Sequence, residues 1–154
     1  MTSPTQQPIN VAAVDLGSNS AHMVIGRFLD QDLQILDRMR EPIRLAEGLD
    51  RENRLSPEAQ ERAIACLERF GQRLHDLRPT HVRAVGTNTL RRARNGAGFR
   101  ARAEQALGHP VEVISGQEEA RLIYLGVAHS HDTDTWPRLV VDICLLYTSD
   151  AADE

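Results

Sequence analysis

The sequence predicts an α/β fold, and three observations carry that expectation. The apolar run at residues 11–14 ends in Asp15 and passes at once into Gly17, Ser18, Asn19 and Ser20, the pattern of a buried strand feeding a turn. A long helical stripe opens at Ser56, after a meander of short strands. Two later apolar runs, 82–85 and 111–114, each lead into a polar turn and a helical pattern, the alternation of an open α/β sheet. With 154 residues, the chain has room for one domain or one lobe of something larger.

Taken in order, residues 1–9 are polar and expected to be disordered. Residues 11–15 form the first strand, which places Asp15 at its C-terminal end, where open α/β sheets hold their ligands. Gly17 allows close backbone approach, and Ser18, Asn19 and Ser20 bring donors suited to phosphate oxygens. A plain hairpin with an Asp-type turn fits the same residues. Residues 21–29 and 33–39 read as the second and third strands of a meander. Residues 40–55 show no clean period and read as a loop with extended pieces.

Ser56-Pro57-Glu58 opens the longest helix: an N-cap, a favoured first residue, and an acid matched to the dipole. Ala63, Leu67, Phe70, Leu74 and Leu77 recur at spacings of three and four, one apolar stripe that Pro79 closes. Cys66 lies beside the stripe as a core residue. A fourth strand at 82–85 leads into Gly86-Thr87-Asn88-Thr89-Leu90-Arg91-Arg92. That run reads either as a second phosphate-facing loop or as a capped helix with a solvated basic face. Residues 99–107 form a further helix, closed by Gly108 and Pro110.

A fifth strand at 111–114 meets Ser115-Gly116-Gln117-Glu118, which has the spacing of a capping box. Glu118 then reaches back to the Ser115 N–H. Glu119 points about 100° further round the helix, which leaves it the freer carboxylate on the ligand side of the sheet. Residues 129–137 read as a polar linker, with His129 and His131 solvated, and 139–143 as a sixth strand carrying Asp142.

Composition narrows the chemistry. Net charge is −4, so global steering of a polyanion such as a nucleic acid is not available. All 18 basic residues are arginine, which excludes a P-loop lysine and Schiff-base chemistry. Any basic phosphate contact is then an Arg, able to grip in a bidentate fork. The two cysteines, Cys66 and Cys144, have no metal spacing and fit a reducing cytoplasm. The six histidines form no ligand set, and no apolar run is long enough for a membrane span.

Three segments together carry a family resemblance. Val14-Asp15-Leu16-Gly17-Ser18-Asn19-Ser20, Gly86-Thr87-Asn88-Thr89-Leu90-Arg91 and Ile114-Ser115-Gly116-Gln117-Glu118-Glu119-Ala120-Arg121-Leu122-Ile123 resemble the exopolyphosphatase / guanosine pentaphosphate phosphohydrolase family. His22-Met23-Val24-Ile25 leans toward its exopolyphosphatase branch. The resemblance covers about residues 10–143 and implies an actin-like, ribonuclease H-like lobe, a five-stranded mixed sheet flanked by helices. It implies hydrolysis of terminal phosphate from inorganic polyphosphate, or from guanosine pentaphosphate, by magnesium-assisted attack of water. Carried over by residue, Glu119 is the general base, and Asp15, Gly17, Ser18, Asn19 and Ser20 form the first phosphate loop. Thr89 and Arg91 contact substrate, and Asp142 holds the metal. The full-length family member is expected to be a homodimer.

Residues 10–136 would form the first lobe and 137–143 the opening strand of a second. The family pattern continues after Ile143 with a Gly-rich loop and a Glu; here Cys144-Leu145-Leu146-Tyr147-Thr148-Ser149 follows instead. Residues 144–154 resemble translated adapter sequence and are read as non-native. Removing their three acids leaves a chain closer to neutrality. The chain so truncated is expected to be inactive. Competing readings are a sugar- or acetate-kinase-like phosphotransferase, against which the Ser-Gly-Gln-Glu-Glu-Ala-Arg run argues, and a non-catalytic polyphosphate- or nucleotide-binding module.

Overall fold

A computed structural model describes residues 8–29, 32–77, 81–130 and Val140. The expected sixth strand apart from Val140, with Asp142, His131 and the 144–154 tail, lies outside the described residues.

The N-terminal meander is β1 (Ile9–Leu16), β2 (Ser20–Leu29) and β3 (Asp32–Pro42). The helix α1 (Pro57–Leu74), strand β4 (Val82–Gly86), helices α2 (Asn88–Arg92) and α3 (Gly96–Leu107), strand β5 (Val111–Val113) and helix α4 (Gly116–Ser130) follow. The five strands form one mixed sheet in the order β3-β2-β1-β4-β5. β1 pairs antiparallel with β2 and parallel with β4, so the central strand joins the meander to the parallel half. The plain-hairpin reading of the first turn and the phosphate-loop reading therefore describe the same backbone. β2 and β3 change register between Ile25 and Gly26, where Leu36 is the extra residue of a bulge.

Period-two alternation drives one face of the sheet inward. Ala12, Val14 and Leu16 of β1, Ala21 and Met23 of β2, Ala84 of β4 and Val111 of β5 are buried in one core with the stripes of α1 and α3. The opposite face carries Ala13, His22, Arg83 and Glu112 exposed, and toward the meander's far end Ile9, Phe28, Leu33 and Ile35 exposed as well. No helix among the described residues is long and apolar enough to cross a membrane.

α1 starts as its sequence predicts: the Ser56 hydroxyl accepts the Ala59 N–H at 3.2 Å. It ends at Leu74, one turn short of Leu77. Leu77 bonds back to the Leu74 carbonyl at 2.8 Å and still packs on the core. Cys66 is in that core as expected, and burial pushes its thiol up to about 12. On the exposed side Arg69 pairs with Glu41 of β3, which holds that carboxyl below the usual range.

α1 and α3 cross closely at Gly71. A Cβ there would stand 2.6 Å from the Ala106 carbonyl oxygen and 2.9 Å from that of Leu107. Both obstacles are backbone. Gly71→Ala is therefore expected to destabilise the fold by about 1–3 kcal/mol, outweighing the helix-propensity gain of about 1 kcal/mol. The urea midpoint measures it, and an unchanged or raised midpoint would mean that the two helices can part at little cost.

Two stretches differ from expectation. Residues 40–55 are not simply a loop. β3 runs to Pro42, a 3-10 turn spans Ala46–Gly48, Leu49 bridges to Leu55, and Ile43, Leu45 and Leu55 are buried. Its period is unclear because it is anchored at separate points rather than along one face. His129, expected in a linker, lies inside α4, with its ring Nδ1 2.8 Å from the Leu125 carbonyl oxygen.

Candidate functional site

The expected site residues come from three stretches far apart in sequence, and the sheet brings them to one end. Asp15 is the penultimate residue of β1, opposite His22 on β2 and beside Val85 on β4. Its partner His22 is held below the usual imidazole range, first by burial and then by Arg40, which faces it from β3. Beyond Asp15 the chain turns back tightly. The Gly17 N–H bonds the Ser20 carbonyl at 3.1 Å, and a Cβ on Gly17 would sit 2.8 Å from that oxygen. Only glycine fits this turn without moving backbone.

The turn is braced from outside. Ile43 and Arg44 N–H groups both donate to the Asn19 carbonyl, at 2.9 and 2.8 Å, and the Ala46 N–H donates to the Ser18 carbonyl at 2.9 Å. Arg62 of α1 holds the brace in turn, donating to the carbonyls of Ile43 (2.8 Å) and Arg44 (3.2 Å). The far end of the same segment is tied to the α2–α3 link. The Arg94 N–H donates to the Asn53 carbonyl at 2.8 Å, and Leu55 and Asn95 exchange two hydrogen bonds. Sequence reasoning missed this strap. The signal was the pair Ile43 and Leu45, apolar either side of Arg44.

Thr87 opens α2 without capping it. Its hydroxyl donates to the Leu16 carbonyl at 3.4 Å, tying α2 to the end of β1. Thr89, buried, donates its hydroxyl to Ser18 Oγ at 2.7 Å. That bond uses an acceptor site of Ser18 and leaves the Ser18 proton to point elsewhere. Two residues on, Arg91 Nη1 donates both to the Ile114 carbonyl and to Glu119 Oε2, each at 2.8 Å. Thr89 and Arg91, expected as substrate contacts, thus both make protein contacts that position neighbouring site residues.

Glu119 is not the freer carboxylate that its sequence position implied. It is 7% exposed and ion-paired with Arg91. Its Oε1 takes no hydrogen bond from any described residue. Glu118 differs from expectation too. Its N–H does bond the Ser115 hydroxyl at 3.1 Å, half of a capping box. Its carboxylate turns to Arg121, at 2.7 Å through both oxygens, and to Arg83 at 3.7 Å. The hydrogen bond from Arg121, reinforced by Arg83, keeps this carboxyl below its ordinary range. The two adjacent acids are therefore distinct: one half-buried and bound at the helix surface by two arginines, one buried and held by a single arginine.

Among the described residues no three His, Cys, Asp or Glu side chains gather as a metal site. The chemistry on hand is one carboxylate at a strand end, a tight turn with hydroxyl and amide donors, and a buried Glu paired with a half-buried Arg.

Comparison with known proteins shows the family and the fold. Residues 24–144 match the family described as the Ppx/GppA phosphatase family. A guanosine-5'-triphosphate,3'-diphosphate pyrophosphatase of Vibrio vulnificus is 52% identical over 132 residues, which cover 86% of this chain and 26% of that protein. A crystal structure of the Aquifex aeolicus Ppx/GppA family member superposes with a TM-score of 0.75 at 30% identity, over 83% of this chain and 42% of that one. An exopolyphosphatase from Cytophaga hutchinsonii gives 0.71 at 29% identity, over 77% and 38%. The chain thus spans about a quarter of the Vibrio protein and about two-fifths of the solved chains. The mixed five-stranded sheet with its helices is the actin-like, ribonuclease H-like lobe that these structures share.

Proposed function

Since the chain belongs to the Ppx/GppA phosphatase family, we propose that it is the first lobe of an exopolyphosphatase, which releases terminal phosphate from inorganic polyphosphate. The observation that carries the reading is the convergence of Ser18, Thr89, Arg91 and Glu119 through the 2.7 and 2.8 Å bonds. A phosphoryl transfer of this kind demands alignment and charge stabilisation rather than a covalent intermediate. In this reading the 17–20 turn holds phosphate oxygens through backbone N–H groups and the Ser18 proton. Arg91 fixes Glu119 by Oε2, so that Oε1 orients and deprotonates the attacking water.

Magnesium is the metal we assign. A hard ion that keeps several waters needs only one or two carboxylates. In our reading Asp142 is the carboxylate that would hold it, and Asp15 at the end of β1 would supply a second. The ion would neutralise phosphate charge and draw electrons from the bond that breaks. We read residues 144–154 as foreign, although the family match runs through Cys144. A second reading, hydrolysis of guanosine pentaphosphate, is favoured by the name of the Vibrio relative.

The test is phosphate release from long-chain polyphosphate and from guanosine pentaphosphate with magnesium, for this chain and for a version with the second lobe restored. Restoration is expected to bring activity, greater on polyphosphate. The chain alone is expected to release none, because an open face excludes no water and leaves electrostatic interactions weak. Phosphate release by the chain alone would refute the two-lobe site. Tight binding without hydrolysis by the restored protein would favour a binding module.

A further inference from the structure

We propose that Arg44 is a further phosphate-binding residue of this site, gripping the polyanion just beyond the 17–20 turn. The proposal rests on the reading of that turn as a phosphate loop. Four observations lead to it.

The first is position. The Arg44 N–H lies 2.8 Å from the Asn19 carbonyl, so this residue abuts the turn itself. The second is backbone conformation. Arg44 has φ 47°, and among the described residues the other non-glycine at positive φ is Asn53. Asparagine tolerates the left-handed region; arginine gains nothing there and glycine would sit at lower cost. Each hydrogen bond that holds this corner uses its backbone atoms, the Ile43 and Arg44 N–H groups and the Ile43 and Arg44 carbonyls. A glycine would make all of them, so the geometry of the corner gives no reason for a long cationic side chain. Strain of this sort, held in place by surrounding structure, gathers at ligand-binding positions.

The third observation is that the side chain is uncommitted. Ile43 and Leu45 on either side are fully buried, which turns Arg44 outward. Its side chain is 59% exposed, and its ion pair, with Glu47, spans 4.0 Å between groups that are both in solvent. Such a pair contributes little. Arg62 and Arg91, by contrast, hold their neighbours through bonds of 2.8 Å. The fourth is chemical. In a chain without lysine, phosphate is met by guanidinium, whose fork matches two oxygens at once. The strap fixes the backbone of this arginine, so the ordering cost when an anion arrives falls on its side chain alone.

The experiment separates charge from strain. The 154-residue chain is titrated with inorganic tripolyphosphate at fixed ionic strength, by calorimetry, beside its Arg44→Gly, Arg44→Asn and Arg44→Lys variants, with melting curves for each. Glycine and asparagine both suit the left-handed corner, so these variants are expected to melt at or above the parent temperature. Their affinity is expected to fall about tenfold, with a shallower dependence on salt. Arg44→Lys is expected to keep most of the affinity. Unchanged affinity in the Gly and Asn variants would overturn the proposal and leave the phosphate turn standing. A parent chain that binds no tripolyphosphate would overturn both. Binding that depends on Arg44, beside a two-lobed enzyme that releases no phosphate, would uphold Arg44 and refute the hydrolase reading.

Discussion

Glu119→Gln in the two-lobed enzyme is expected to lower kcat by about 10²–10⁴-fold, the range that a positioned general base contributes, with KM nearly unchanged. Gln keeps the size of the side chain and can still accept from Arg91, so the site keeps its shape while the base is gone. Glu118→Gln is the matched control. That carboxylate is bound at the helix surface by Arg121, and exposed pairs of this kind contribute little. Its replacement is expected to leave kcat within about twofold, since Gln also serves at the third position of a helix. Steady-state kinetics on polyphosphate decide the matter. Equal losses from the two changes, or a Glu119 effect confined to KM, would rule out the base assignment.

Arg91→Met is expected to cost about 3–5 kcal/mol of stability, the usual penalty for leaving a buried charge without its partner. The loss is larger than a surface ion pair would give, because Glu119 is 7% exposed and the same guanidinium nitrogen also satisfies the Ile114 carbonyl. The companion variant Arg91→Met/Glu119→Gln removes the unpaired charge. It is expected to recover a large part of the loss, so the two changes are strongly non-additive. Urea unfolding of the four proteins gives the cycle. Additive effects would mean that the pair is solvated and that Glu119 gains nothing from Arg91.

These expectations follow from contacts only partly legible in the sequence. The strands were readable because one face is buried: Ala12, Val14 and Leu16 alternate with residues of the other face. The start of α1 was readable because a cap is a local device, Ser56 acting on Ala59. The three site segments were readable as motifs, each a strand leading to a polar turn. The partners of their side chains were not, because those are fixed by topology. Glu119 gains its arginine only when the parallel pairing of β1, β4 and β5 sets α2 beside the start of α4. Glu118, three residues after Ser115, matched a local pattern, yet two arginines outcompeted a backbone N–H for its charge. The strap escaped notice for the opposite reason: its anchors at Ile43, Leu45 and Leu55 bury single side chains at irregular intervals, and no period records that.

The central place of β1 also sets an order of assembly. Its antiparallel partner β2 follows after a three-residue turn, and β3 comes next, so the meander needs only short loops to close. Its other neighbour, β4, comes after the whole of α1. Ser18 and Thr89, whose hydroxyls meet at 2.7 Å, stand 71 residues apart in sequence. Contacts of such separation form late and slow a fold. During synthesis the first turn therefore leaves the ribosome well before the segments that complete it, and α4, with Glu119, comes last of the described elements. The nascent lobe thus makes the 17–20 turn early and gains the residue we propose as the base only with the last described element.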